Sequence, residues 1–241
     1  MAHIALVSGG AGGIGKAIVR RLSRDGFTVI VADSDSASTH SFCQKMHDEG
    51  FDVQAYTLDL TSEPDVKALI ESLPPLAALV NNAGIFDERH FFDVDADDFR
   101  RMYELNLIAA ASLTRFASSR MRAGSKVVNI VSRAYLGARN HAHYVASKAA
   151  LVGYTRACAM ELAPRGVLVN AVAPGLIDTP LLRALTPERL QQQLSLQPTG
   201  SAGRPEDVAN AVSFLADPEM DFITGQVLFV DGGKSLGGTL S

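Results

Sequence analysis

The stretch His3–Asp33, HIALVSGGAGGIGKAIVRRLSRDGFTVIVAD, reads as a strand, a glycine-rich turn, a helix and a second strand. His3 to Val7 is a short apolar run, and glycines follow at 9, 10, 12, 13 and 15. From Lys16 to Arg24 the apolar residues recur at helical spacing, with Ala17, Ile18 and Leu22 on one side. FTVIVAD, Phe27–Asp33, then returns to buried-strand character. A glycine turn between strand and helix lets backbone approach a ligand closely and aims unpaired amides and a helix N-terminus at a phosphate. Gly9, Gly13 and Gly15 set the spacing here, which is neither the strict G-x-G-x-x-G fingerprint nor a loop ending in Gly-Lys-Ser/Thr. A flexible glycine loop is the plain alternative. Asp33 stands 18 residues beyond Gly15. A carboxylate there would accept from both hydroxyls of an adenosine ribose and repel a 2′-phosphate, which favours NAD over NADP. No arginine follows it in DSDSAS to hold an extra phosphate, and a turn-terminating or capping role for Asp33 is the alternative.

The alternation continues along the chain. Ser36 or Ser38 is expected to cap a helix that runs to Glu49 and stops at Gly50. FDVQAYTLD is a third strand ending at Asp59, placed to border an adenine or to cap the next turn. Pro64 suits the first turn of a helix, LAALV reads as strand four, and NNAG follows at its carboxyl end. A long helix then carries Asn106 in its interior, where an asparagine holds a water or bonds a carbonyl at a bend. VVNIV and VLVNAVAPG are strands five and six, and TGQVLFVDGG contains the last strand. Between Leu176 and Arg204, helix-like spacing with glycine and proline at the ends marks a lid over the crevice; an exposed surface helix is the alternative. Repeated strand–helix units imply an α/β fold with a doubly wound parallel sheet, its crevice at the strand carboxyl ends. No repeat or linker divides the 241 residues, so residues 1–241 read as one domain, with KSLGGTLS a loose tail.

Composition narrows the function classes. A net charge of −4 without a long basic run argues against nucleic acid. No apolar run reaches the length of a membrane span, and the start MAHIALVSGG lacks a leader pattern, so a cytoplasmic, non-membrane protein is the expectation. Cys43 and Cys158 are too far apart in sequence to suggest a metal knuckle or disulfide framework, and no metal is expected.

In VVNIVSRAYLGARNHAHYVASKAA, Val127–Ala150, a strand leads through a basic loop into a helix with Tyr144 and Lys148 four residues apart. That spacing places phenol and ammonium on one face, where each alters the other's proton affinity. Ser132, just past the strand end, adds a hydroxyl near the same point. Such a pair alone is more often a surface feature than a reaction centre.

Taken in order, SGGAGGIG at Ser8–Gly15, Asp33, Asp59, NNAG at Asn81–Gly84, Asn106, Ser132, Tyr144-x-x-x-Lys148, Pro174-Gly175, Thr179 and DGG at Asp231–Gly233 resemble the short-chain dehydrogenase/reductase family from His3 through Gly233. The resemblance implies a Rossmann-type sheet of seven parallel strands with helices on both faces and NAD at its carboxyl edge. It places Gly9, Gly13, Ile14 and Gly15 around the pyrophosphate, Asp33 on the ribose, and Asp59 and Leu60 at the adenine. Asn81, Ala83, Gly84, Pro174, Gly175, Ile177 and Thr179 would line the rest of the crevice. Asn106, Ser132, Tyr144 and Lys148 would form the catalytic tetrad, with Tyr144 and Lys148 also touching the cofactor.

The implied activity interconverts a secondary alcohol and a ketone. Tyr144 would be the acid/base, its high intrinsic pKa lowered by Lys148 and the oxidised nicotinamide. Ser132 would orient the substrate oxygen, and Asn106 would hold a water that relays protons from Lys148. The resemblance also implies a homotetramer. One departure is that Ser132 precedes Tyr144 by twelve residues where thirteen is the commoner spacing and Val131 takes the counted place; a one-residue deletion between Arg133 and His143 accounts for it. The loop residues Arg133, Arg139, His141 and His143 lie near the active end, where an arginine would suit a carboxylate-bearing substrate. A 3-oxoacyl-thioester reductase, a cis-diol dehydrogenase and a low-turnover NAD-binding sensor or structural protein are the alternatives.

Overall fold

The computed structural model describes residues 3–236. Met1, Ala2 and most of the expected C-terminal tail lie outside the described residues. Seven strands form one sheet: β1 (His3–Ser8), β2 (Phe27–Asp33), β3 (Val53–Thr57), β4 (Ala78–Asn81), β5 (Lys126–Ile130), β6 (Leu168–Pro174) and β7 (Val227–Val230). Their order is β3-β2-β1-β4-β5-β6-β7, every pairing parallel. Parallel strands need crossovers, and helices supply them on both faces. These are α1 (Gly13–Arg24), α2 (Ser36–Asp48), α3 (Glu63–Ser72), α4 (Ala96–Tyr103), α5 (Ala109–Arg120), α6 (Ala142–Leu162), α7 (Pro180–Arg183), α8 (Pro187–Ser195) and α9 (Pro205–Ala216).

Covering both faces explains the near-continuous apolar strands. In β1 and β2, Ala5 and Val7 with Val29 and Val31 join one core with Ile18, Leu22 and Val212. Leu6 and Ile30 face the other way, toward Leu69, Leu79 and Leu113. Alternation along the strand therefore feeds two cores, and neither face of the sheet is left polar. Cys43 is buried, and burial pushes its thiol up to about 11, as expected of a small core hydrophobe.

Three local readings are corrected. The cap of α2 is Asp35, whose side chain accepts from the Ser38 amide, instead of Ser36 or Ser38. The residue before the helix has the extended backbone a cap needs, and its carboxylate is the stronger acceptor. The third strand ends at Thr57, because Asp59 turns the chain. The expected single helix around Asn106 contains a π turn, Glu104–Ile108, between α4 and α5. Residues 176–204 hold two helices, α7 and α8, each starting with proline in its first turn.

The sheet order puts β1 and β4 side by side with β2 and β5 beyond them. The chain leaves β1 toward β2 and β4 toward β5, on opposite sides of this pair. A crevice opens where such connections diverge. The glycine turn, NNAG and the Ser132 loop all emerge at that edge.

Candidate active site

At the end of β1, Gly9 has φ +63°, a left-handed conformation natural to glycine. Gly15 admits no side chain: a Cβ there would stand 2.1 Å from the Gly9 carbonyl oxygen and 2.8 Å from the Gly10 Cα. Helix α1 has no side-chain cap on its first amides and no acid in its first turn. Unsatisfied donors, the positive end of the helix dipole and an absence of bulk together fit an anionic pyrophosphate. Ile14 packs against the core behind the turn, while Gly13 meets Thr179 and Pro180, so α7 begins over the cradle. Asp33 tightens the same turn: one oxygen accepts from the Ala11 amide at 3.0 Å and the other from Asp35 at 3.2 Å.

Ser8 joins this cradle to NNAG. Its hydroxyl accepts from the amides of Asn82 and Ala83, each at 3.1 Å. The Asn82 side chain in turn donates to the carbonyls of Ser8 and Gly9. Asn82 was visible only as part of NNAG; the structure makes it the brace of both turns. Asn81 points inward, donating to Thr114 at 2.9 Å and to Asn129 at 2.8 Å. Asn129 continues the chain to Thr155. A buried polar row thus crosses from α5 to α6 beneath the crevice. Gly84 lies over the catalytic candidates, since a Cβ on it would come within 2.9 Å of Asn106 Oδ1 and 3.3 Å of Lys148 Nζ.

Asp59 is exposed and accepts from the amide and hydroxyl of Thr61, while the Leu60 side chain enters the core. Ile177 is buried and bridges Gly203, and Gly175 lies so close to Asp231 that a Cβ would reach its Cα at 2.7 Å. Pro174 ends β6 beside Val230.

Asn106 is almost fully buried within the π turn. Its carboxamide pairs with both backbone groups of Ile85, accepting from the amide at 2.8 Å and donating to the carbonyl at 3.0 Å. It also donates to Ser147 Oγ at 3.0 Å, and Ser147 donates to the Tyr144 carbonyl. Ser147 was missed in the sequence, although it lies between Tyr144 and Lys148; its signal was only a serine inside the pair.

Tyr144, Lys148 and Ser132 converge at the ends of α6 and β5. Ser132 accepts from the Ala134 amide, which starts a short turn over Arg133–Leu136. Burial raises the Tyr144 phenol above its ordinary value, and hydrogen bonding with the Ser132 side chain draws it back. Lys148 donates to the Ile130 carbonyl at 2.9 Å, and burial brings its amine down to about 8. Its Nζ is 6.0 Å from the Tyr144 ring centroid. Lys148 is thus engaged by β5, and Ser132 offsets part of the effect of burial on the Tyr144 phenol.

The Lys148 value has a consequence for stability. Its folded pKa lies below its unfolded one, so between about pH 8 and pH 10.5 the unfolded chain holds a proton that the folded chain has lost. Stability from this group therefore rises with pH through that window and is lowest below it. Lys148→Met is expected to stabilise cofactor-free protein at pH 7 by on the order of 1–2 kcal/mol, an advantage that shrinks toward pH 10. Urea denaturation of both proteins across this range checks it; a constant difference would show that the amine is not desolvated.

Phe86 forms a wall beside these groups. Its ring centroid is 5.1 Å from Tyr144, edge-on, and 4.9 Å from His141. His143 is instead buried behind the site against Phe99, and neither ring nitrogen finds a partner among the described residues. Burial lowers its pKa, keeping the ring neutral.

Residues 9–235 match a family model described as enoyl-(acyl carrier protein) reductase. A short-chain dehydrogenase/reductase from Brucella melitensis, described as a glucose/ribitol dehydrogenase, superposes with a TM-score of 0.90 at 30% identity, covering 96% of each chain. The chain belongs to the short-chain dehydrogenase/reductase family.

As a short-chain dehydrogenase/reductase it is an NAD(P)-dependent oxidoreductase. Among similar proteins is a (2S)-[(R)-hydroxy(phenyl)methyl]succinyl-CoA dehydrogenase subunit of Thauera aromatica, 36% identical over 97% of each chain. The acetoacetyl-CoA reductase of Allochromatium vinosum is 35% identical over 97% of this chain and 98% of its own. A blue fluorescent protein from a metagenomic library, solved with NADPH, is 34% identical with a TM-score of 0.89, covering 96% of this chain and 97% of its own. No described helix is long and apolar enough to cross a membrane.

Proposed function

We propose that this short-chain dehydrogenase/reductase interconverts a secondary alcohol and a ketone with NAD, using Tyr144 to exchange the hydroxyl proton. The observation that carries this reading is the convergence of Tyr144 and Ser132 at the carboxyl end of β5, with Lys148 buried close by. When bound, the nicotinamide accepts or donates the hydride. The chain's part is to position the reactants and move the proton. Gly9, Gly13, Ile14 and Gly15 would hold the pyrophosphate, and Asp33 the adenosine ribose. Asn81, Ala83 and Gly84 would form the central crevice wall, with Pro174, Gly175, Ile177 and Thr179 on the far side and Asp59 and Leu60 at the adenine end.

In oxidation Tyr144 takes the substrate hydroxyl proton as a phenolate, and in reduction it gives one back. Ser132 donates to the same oxygen, holding the substrate and stabilising the charge that develops on it. Lys148 supplies positive charge beneath the phenol, with donors to spare beyond the one on Ile130, and Asn106 fixes α6 through Ser147. Residues 176–204 would close over the crevice, α8 being tied to the opposite loop by an Arg189–Glu88 ion pair of 2.7 Å. A homotetramer in the cytoplasm is part of the same proposal, as is a small-molecule substrate with no nucleic-acid or membrane partner.

Absorbance at 340 nm with NAD and NADP across secondary alcohols, diols and hydroxy acids tests the reading. Turnover with NAD supports it, and tight binding without turnover would favour a sensor. Asp33→Ala is expected to lower kcat/KM with NAD about tenfold or more while leaving or improving NADP use, since a charged acceptor on the ribose is lost with its repulsion of a 2′-phosphate. A wild-type preference for NADP would overturn the assignment of Asp33. Acyl thioesters are the second substrate reading, favoured by the names of the Thauera and Allochromatium relatives; 3-hydroxyacyl-CoA belongs in the same panel.

A further inference from the structure

Arg133 and Lys234 stand within electrostatic range of each other near Ser132, and among the described residues neither forms an ion pair. Arg133 follows Ser132 directly and opens the turn Arg133–Leu136. Its Nε is buried and finds no hydrogen-bond partner among the described residues. Lys234 opens the turn Lys234–Leu236 after β7 and is half-buried. It is close enough to Arg133 for that charge to depress its amine, after the larger effect of burial. Tyr135 stacks on Phe229 at 5.8 Å, which holds the Arg133 turn against β7.

Among the described residues Asp231, the acid of this turn, makes no ion pair with either cation. Asp231 accepts from the amides of Gly233 at 3.1 Å and Ser235 at 2.7 Å, shaping the turn that presents Lys234. Among the described residues neither Arg133 nor Lys234 makes a salt bridge. Holding like charges together while desolvating them costs free energy, and an unpaired guanidinium nitrogen adds to that cost. An anion between them removes both penalties.

We propose that Arg133 and Lys234 form a binding site for a carboxylate on the substrate, so that the enzyme acts on hydroxy acids and their keto counterparts. This rests on the dehydrogenase reading above. The cofactor phosphates are poorly placed to serve as the anion. They have donors of their own in the uncapped first amides of α1, after β1, whereas Arg133 follows β5 and Lys234 follows β7. The site belongs to the same edge of the sheet as the proposed reaction centre, because Arg133 opens the turn that Ser132 caps. A planar guanidinium with an ammonium beside it suits a carboxylate, the first by paired hydrogen bonds and the second as a point charge.

The test pairs kinetics with binding. Wild type, Arg133→Met, Arg133→Lys and Lys234→Met are assayed with NAD on hydroxy acids and on the methyl esters of the same acids. Wild type is expected to favour the acids. Arg133→Met and Lys234→Met should raise KM for the acids about tenfold or more with a smaller change in kcat, leave the esters unchanged, and Arg133→Lys should recover part of the loss. Succinate titrated calorimetrically into the protein–NADH complex should bind about tenfold more weakly to the methionine variants and normally to Tyr144→Phe. Equal effects on acids and esters, or unaltered succinate binding, would overturn the site. If no alcohol is oxidised and yet succinate binding depends on both cations, the anion site stands and the dehydrogenase reading fails.

Discussion

Replacing Tyr144 with phenylalanine is expected to lower turnover about 10²- to 10⁴-fold while NAD affinity changes little. The substitution deletes one hydroxyl and keeps the ring that packs edge-on against Phe86. What is lost is the group that receives or supplies the substrate proton, and positioned acid/base groups contribute rates of this size. Ser132 remains, and it cannot substitute because an alcohol is a far weaker base than a phenolate at the same pH. Single-turnover absorbance at 340 nm separates the chemical step from cofactor binding, which calorimetry reads independently. Retained turnover would move the proton transfer to another group.

Gly15→Ala is expected to weaken cofactor binding by a factor of about 30–100. The added methyl would lie 2.1 Å from the Gly9 carbonyl oxygen, so backbone must move, and Asp33 and Asn82 hold that backbone from two sides. Overpacking of this kind costs about 2–3 kcal/mol, which corresponds to that factor in affinity. The strain falls on the turn and leaves the two cores intact, so far-UV circular dichroism should stay near wild type while calorimetric NAD binding falls. Unchanged affinity would place the pyrophosphate elsewhere.

The fold was readable because its signals are local and repeated. Apolar runs such as FTVIVAD end in turn residues, and the helices between them leave no option but a parallel sheet. Tyr144 and Lys148 were readable for the same reason: one helical turn relates them regardless of the rest of the chain. The contacts that organise the site escaped because they join distant residues. Nothing in the spacing of Asn82 says that it will bridge to Ser8 and Gly9, and nothing about Ser147 says that Asn106 will reach it across helices. The direction of Lys148 was hidden too, since its bond to Ile130 depends on how α6 docks on β5. Asp35 took the capping role expected of a serine because backbone geometry, unlike residue preference, admits one position.

The π turn at Glu104–Ile108 bears on more than Asn106. A residue added to an α-helix advances every later side chain by roughly 100°. Before the insertion, α4 faces α6, where Phe99 meets His143; after it, α5 faces α3 and the sheet. One continuous rod thereby serves two neighbours that lie in different directions, and Asn106 sits where its phase changes. The extra residue works as a gear shift in the helix, coupling the packing of the scaffold to the placement of the groove in which α6 carries its tyrosine.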